Sequence, residues 1–225
     1  LFIADGHHRY ETALKYRNQL RDQAESWSGE EACNFVMMTL IDFDDLGLLV
    51  QPYHRVVGGL RPSVLMDLRK RLHQVFRDIP LQGPISGPEA LEDIVARYGQ
   101  AEPVIGLLQE NMVLPQLFVM PGHADNREPT SAYEALHRFE GWVLHQEVFN
   151  RVLGSESGNY VDYTHDPREA WEMVASGTQQ MAFFLRPMPM ETFELLVSSG
   201  MRLPPKSTYF YPKIPTGLVF HPLDG

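Results

Sequence analysis

Apolar and polar positions along the 225-residue chain alternate in a way that sets out most of its elements. Leu1 to Ala4 form an apolar run of the length of a buried strand, and Asp5-Gly6 marks a turn. From Arg9 the pattern becomes helical, with Tyr10, Ala13, Leu14, Arg17, Leu20 and Ala24 on one stripe and Glu11 four residues before Lys15. After a polar loop over 26–31, Asn34–Phe43 is apolar enough for a central strand. Leu48–Val57 predicts a second strand, hairpin-like with the first around Asp45-Leu46-Gly47. Pro62–Ile79 predicts a helix opened by its proline, with Val64, Leu65, Leu68, Leu72, Val75 and Phe76 on one face. A Gly/Pro-marked loop then leads to a short helix over 89–98.

Val104–Gln109 and Leu114–Met120 predict paired strands around Asn111, followed by a polar loop carrying His123, Asp125 and Asn126. The longest helical pattern runs from Pro129 to Leu153, with a bend expected at Gly141. Tyr160–Tyr163 alternates like a strand. Asp166 and Pro167 supply the cap and first position of a helix reaching about Ser176. Gln180–Arg186 predicts a strand, Pro189–Ser198 a helix closed by Gly200, and Thr208–Pro212 an extended end. Strands interleaved with helices, without repeats or Gly/Ser linkers, predict a mixed α/β (α+β) fold with a mixed or mostly antiparallel sheet under covering helices.

Composition narrows the function classes. Hydrophobic residues at 44% and aromatics at 11% belong to a soluble globular chain. A formal charge of −10 argues against a general nucleic-acid surface, yet leaves room for a small anion in a local basic pocket. The single cysteine, Cys33, excludes a disulfide within these residues and a Cys-rich zinc site, and reads as a small buried residue. No run is long and apolar enough to span a bilayer and no secretory signal opens the chain, so the expected compartment is the cytoplasm, without a membrane partner.

The densest chemistry follows the first apolar run. Asp5, Gly6, His7, His8 and Arg9 occupy a strand-to-helix turn, where free backbone N–H groups and the helix dipole suit an anion. Gly6 admits a ligand to the backbone, Arg9 offers a bidentate fork, and the imidazoles add donors. The same residues also fit a plain turn in which Asp5 caps the helix. A metal site is less well supplied, because adjacent histidines diverge on most backbones and no third spaced ligand follows. Asp42, Asp44 and Asp45 read as a solvated turn. His54-Arg55, set within an apolar strand, fits either a second contribution to the anion pocket or an edge-strand pairing with an acid. His137 and His145 are eight apart, which is not the spacing of a helical metal pair, and read as structural.

Gly200 to Ser207 has nearly the spacing of a phosphate-binding P-loop. Pro205 replaces the second glycine and has no N–H to give, and the residues after Ser207 are extended rather than helical, so that assignment fails. Lys206, Ser207, Thr208 and Lys213 still gather two cations and two hydroxyls beside three aromatics, a composition suited to phosphate oxygens and a base or sugar, or to a docked strand with wet lysines.

Asp5-Gly6-His7-His8-Arg9-Tyr10-Glu11-Thr12-Ala13 resembles the signature of the prokaryotic family called domain of unknown function 1015. Pro52-Tyr53-His54-Arg55-Val56-Val57 resembles its Pro-Thr-His-Arg-Val segment, with Tyr53 in place of the small residue. Val143-Leu144-His145 resembles its Val-Leu-His helix. Pro205 to Lys213 with Gly217-Leu218-Val219 resembles its near-terminal motif. The resemblance runs from residue 1 to about 223. Members of that family are longer, so the chain is expected to be the C-terminal part of a larger protein.

The first turn is also similar to the phosphate-binding turn of the ParB/sulfiredoxin superfamily, which includes nucleotide-dependent kinases of free serine, CTP-hydrolysing partition proteins and ATP-using sulfinic acid reductases. That resemblance implies residues 1–28 as the end of a ParB/sulfiredoxin-like nucleotide-binding domain and 29–225 as a C-terminal α/β domain. It implies a phosphotransferase or nucleotide hydrolase, such as a kinase of free serine, using ATP or ADP, or CTP, with Mg²⁺ and a small hydroxyl acceptor. Gly6, His7, Arg9, His54, Arg55, Lys206, Ser207, Thr208 and Lys213 would hold the nucleotide, with His8 and Asp5 catalytic. A glutamate serves as base in the related kinases and has no assigned counterpart here. The alternatives are a non-catalytic nucleotide sensor or scaffold, and a metal-dependent hydrolase using Asp5, His7 and His8.

Overall fold

In the computed structural model of the chain, helix α1 (His7–Gln23) starts directly after Gly6, whose φ of 80° is a left-handed conformation that glycine adopts at little cost. The structure describes every residue except 82, 84, 100–101, 113, 122–128, 202 and 224–225; the loop residues His123, Asp125 and Asn126 therefore lie outside the described residues. Two compact units result: Leu1–Leu49 with Phe210–Gly225, and Val50–Tyr209.

In the first unit α1 packs on a 3₁₀ turn at Ala32–Asn34. The expected stripe is present in outline, since Tyr10, Ala13, Leu14, Arg17 and Leu20 are half-buried, although Asn18 is half-buried too and Ala24 is exposed. The C-terminal segment belongs to the same unit. Lys213 reaches Asp5, Arg9 reaches Thr216, and the His221 ring meets the Ala32 carbonyl at 3.0 Å. Compactness thus divides the chain at 49/50 and 209/210, where sequence reading set the boundary at 28/29.

Two predicted strands of this unit are absent. Leu1–Ala4 has no strand partner, and Leu1 is 100% exposed. Asn34–Phe43 likewise forms no strand, with Met37 and Leu40 about two-thirds exposed, and the two segments meet where the Phe2 and Phe43 rings stack at 5.9 Å. An apolar run becomes a strand only when a neighbour takes its N–H and C=O groups. Among the described residues neither run has a strand paired beside it.

Strand β1 (Leu49–Gln51) ends at Pro52, and β2 (His54–Val57) follows. The single strand expected over 48–57 is therefore two, because Pro52 has no N–H for a ladder, and neither pairs with 34–43. Helix α2 (Pro62–Val75) opens on its proline as predicted but stops before β3 (Arg77–Ile79). Helix α3 (Pro88–Tyr98) and the antiparallel hairpin of β4 (Val104–Gln109) with β5 (Gln116–Val119) match expectation.

The long helix expected over 129–153 is broken. It becomes α4 (Ala132–His137), α5 (Glu140–Val143), a π-turn at Leu144–Phe149 and α6 (Asn150–Leu153). The break falls at Arg138-Phe139, where Phe139 takes an extended backbone, ahead of Gly141. Strand β6 (Val161–Thr164) follows, and α7 (Pro167–Ala175) is capped by Asp166, whose carboxylate accepts from the Arg168 N–H at 2.9 Å. Strand β7 (Met181–Phe184), α8 (Met190–Ser198) and β8 (Tyr209–Tyr211) complete the chain, and β8 pairs with β1 as a separate two-stranded sheet.

The second unit is built on a six-stranded sheet in the order β3-β5-β4-β7-β2-β6, with antiparallel neighbours. Both faces are covered. Val57, Ile105, Leu107, Phe118 and Phe183 pack with α2 and the π-turn, while Val56, Val104, Leu117, Ala182 and Phe184 pack with α3 and α7. Because strand side chains alternate, adjacent residues such as Val56 and Val57 enter different cores, and the strands read as continuous apolar runs. Gly106 lets α3 close on β4: a Cβ there would lie 3.0 Å from Val95 Cγ2 and 3.1 Å from Leu91 Cδ1. Among the described residues no helix is long and apolar enough to cross a membrane.

Candidate functional site

In the first unit the chemistry collects at the start of α1. Gly6 is the N-cap residue and no side chain caps the helix, so Asp5 does not play the capping role open to it in sequence. Its carboxylate instead accepts from Lys213 Nζ at 3.0 Å and from Arg9 Nη2 at 3.4 Å. Arg9 Nη1 donates to Thr216 Oγ1 at 2.8 Å. The guanidinium lies against Gly6, where a Cβ would be 2.9 Å from Arg9 Nη2. Partial burial pushes the Asp5 carboxyl up, but the hydrogen bond and charge of Lys213, the Gly6 N–H and the charge of Arg9 outweigh it and hold it below its ordinary value. Asp5 stays ionised between two cations and is a weak base. His7 and His8 are exposed, and His8 turns toward Glu11, with Nδ1 3.7 Å from Oε2, rather than toward Asp5.

This turn therefore brings together Asp5, Gly6, Arg9 and Lys213, and adds Thr216, which sequence reading missed. Nothing local marks Thr216, because its partner Arg9 is 207 positions away.

His54 and Arg55 belong to the second unit, and strand alternation sends them to opposite faces of the sheet. His54 is fully buried on the side of Phe184, with ring centroids 5.2 Å apart; its Nδ1 accepts from the Leu185 N–H at 3.2 Å. That leaves the proton of the neutral ring on Nε2, which lies 3.6 Å from Glu92 Oε1 without a hydrogen-bond partner. His54 and Arg55 thus do not share a pocket, a separation that the two-residue period of the strand already implied.

Arg55 sits on the other face, 4% exposed, on a strand paired on both sides, so the edge-strand reading does not apply. Its Nη1 donates to the Tyr53 carbonyl and its Nη2 to the Lys206 carbonyl at 3.3 Å, and its Cζ lies 5.6 Å from the Tyr163 ring centroid. Burial lowers the guanidinium pKa to about 10, against the opposing influence of Tyr163 and Glu140. Gly141 makes room for it: a Cβ there would be 2.7 Å from Arg55 Nη2. One turn further, in the π-turn, burial and the charge of Arg55 lower the pKa of His145. Such π-turns often mark functional positions.

Lys206 is exposed, with its Nζ 4.9 Å from the Tyr53 ring centroid. Ser207 is buried and gives its hydroxyl to the Pro204 carbonyl at 2.7 Å, and Thr208 is half-buried. No helix follows them, in keeping with rejection of a P-loop. Among the described residues no group of three or more His, Cys, Asp or Glu is placed to hold a metal ion. A cavity of about 430 Å³ beside Leu108, Glu110, Trp171 and Val174 contains none of the predicted site residues.

Residues 1–154 match the family described as Protein of unknown function (DUF1015). The chain belongs to that family. The match takes in the Asp5–Arg9 turn, His54-Arg55 and His145, and ends before Lys206. No curated protein matches the chain. Among solved structures, a conserved hypothetical protein from Pyrococcus furiosus is 18% identical with a TM-score of 0.52, over 95% of this chain and 71% of its own. A free serine kinase in complex with AMP is 20% identical with a TM-score of 0.49, over 92% of this chain and 66% of its own, just under two thirds. The likeness to the Pyrococcus protein is one of fold: a mixed α/β chain with antiparallel sheets and helices.

Proposed function

We propose that this DUF1015 protein binds a nucleotide through the Asp5–Arg9 turn and transfers its terminal phosphate to a small hydroxyl metabolite such as free serine, or to water. The observation that carries this reading is the convergence of Arg9 and Lys213 on Asp5 at the uncapped start of α1. Two cations and unfilled backbone N–H groups form a cradle for phosphate oxygens, and positioning with charge neutralisation is the main equipment of phosphoryl transfer. The Asp5–Arg9 motif, which resembles the phosphate turn of nucleotide-using enzymes, supports it further.

The residues present fit ATP or ADP phosphates. For Mg²⁺ they supply one carboxylate, Asp5, so the ion would be held mainly by phosphate oxygens and water, where it neutralises charge. In the chain itself Arg9 and Lys213 bind the phosphates, Gly6 admits them to the backbone, Thr216 orients the Arg9 fork, and Asp5 orders the two cations. Phosphorus would bond to the acceptor oxygen as its bond to the departing nucleotide oxygen breaks, and the acceptor proton would pass to water.

The test is turnover by the purified protein with Mg²⁺ and ATP, ADP, CTP or GTP, with and without serine. We expect turnover that requires one nucleotide and is abolished in Arg9→Ala and in Lys213→Ala. Binding without turnover would leave a nucleotide sensor, and absence of binding would end the reading.

A further inference from the structure

Arg55 and Lys206 bring two positive charges into one small region of the second unit. Among the described residues neither forms an ion pair with a carboxylate, in a chain whose formal charge is −10. Glu140 is committed elsewhere: it takes Arg186 Nε at 2.6 Å and the Val104 N–H at 3.3 Å. Tyr163 and Glu140 favour the charged guanidinium, yet the acceptors Arg55 donates to among the described residues are carbonyls without net charge, although it is only 4% exposed.

The backbone around it is held against its preference. Lys206 has φ 61°, which costs a residue with a side chain about 1–2 kcal/mol. Arg55 holds the Lys206 carbonyl, and the Ser207 hydroxyl closes the same turn onto Pro204. Arg55 also holds the Tyr53 carbonyl, and the Tyr53 ring carries the Lys206 ammonium 4.9 Å from its centroid. One buried guanidinium thus fixes both backbones whose side chains meet above it. Strain maintained in this way, under an exposed cation, is a device for presenting that cation.

We propose that the 204–208 turn is an oxyanion-binding site in which Lys206 contacts the anion and Arg55 is the positioning residue. The ligand class is a carboxylate or phosphate group on a small metabolite. This inference does not rest on the phosphotransferase reading.

The full chain has four lysines, Lys15, Lys70, Lys206 and Lys213. Reductive ¹³C-methylation keeps their charge and gives each an NMR signal, assigned by Lys→Arg substitution. Inorganic phosphate and acetate are titrated separately at constant ionic strength. The Lys206 signal is expected to move saturably with at least one of them while Lys70 does not, and the responding anion names the group. Arg55→Lys should weaken the midpoint about tenfold, since an ammonium lacks the rigid planar fork that holds both carbonyls in fixed positions. Lys206→Gln, at an exposed position that leaves the fold intact, should remove one bound anion by calorimetry, and Arg9→Ala should leave the Lys206 response unchanged. A Lys206 signal that drifts with Lys70 without saturating overturns the proposal. Lys213 reports on the other unit, so a flat Lys213 with a saturating Lys206 counts against the nucleotide site alone.

Discussion

At Gly6 the φ of 80° and the Arg9 guanidinium act on the same position. Gly6→Ala should cost about 1–2 kcal/mol of stability from backbone strain and displace Arg9, so nucleotide affinity should fall further than stability does; chemical denaturation and titration separate the two. Arg9→Ala and Lys213→Ala should each weaken nucleotide binding about tenfold or more, the scale of a lost charge-assisted contact. His145 provides a pH readout. Burial and then the charge of Arg55 hold its imidazole below the ordinary 6.5, so the native state binds this proton less readily than the unfolded chain. Its contribution to stability is complete above that ordinary value and is lost as pH falls through the native one. Urea midpoints between about pH 7 and pH 5 should therefore fall less in His145→Gln than in the parent.

The broken helix between α4 and α6 shows how one element serves a buried charge. Gly141 faces Arg55, and a Cβ would meet both Arg55 Nη2 and Phe139 Cζ at 2.7 Å. Gly141→Ala should therefore lower stability by about 1–3 kcal/mol through overpacking despite its better helix propensity, measured by urea unfolding. The neighbouring Glu140 is buried and paired with Arg186, tying α5 to the segment after β7. Removing one member of such a pair leaves an uncompensated charge, so Glu140→Ala should cost about 3–5 kcal/mol.

At the scale of the molecule, both apolar clusters and the six-stranded sheet lie within Val50–Tyr209, whereas Leu1–Leu49 contains no buried residue among those described. A fragment spanning 50–209 should therefore keep a cooperative urea transition and its far-UV circular dichroism. A gradual, non-cooperative loss of signal would show that this unit depends on the rest of the chain.

The sequence alone determined the mixed α/β class and the elements whose signals are local. Pro62 and Pro167 start helices, Asp166 caps one, and the runs read at 104–109, 114–120, 160–163 and 180–186 each contain a strand, within a few residues of those bounds, because each needs information only from its own few residues. It also determined the family, through motifs read residue by residue. The opposite facings of His54 and Arg55 were present in the two-residue strand period, although the pair reads as one basic patch. Only the tertiary structure decided the rest. The apolar run 34–43 and the opening run 1–4 have strand composition without strand partners, since pairing is a property of two segments. The cradle at Asp5 depends on Lys213 and Thr216, more than 200 positions away, and the Arg55 support of Lys206 spans 151 positions. No local pattern encodes contacts between segments so far apart; packing of the whole chain brings them together.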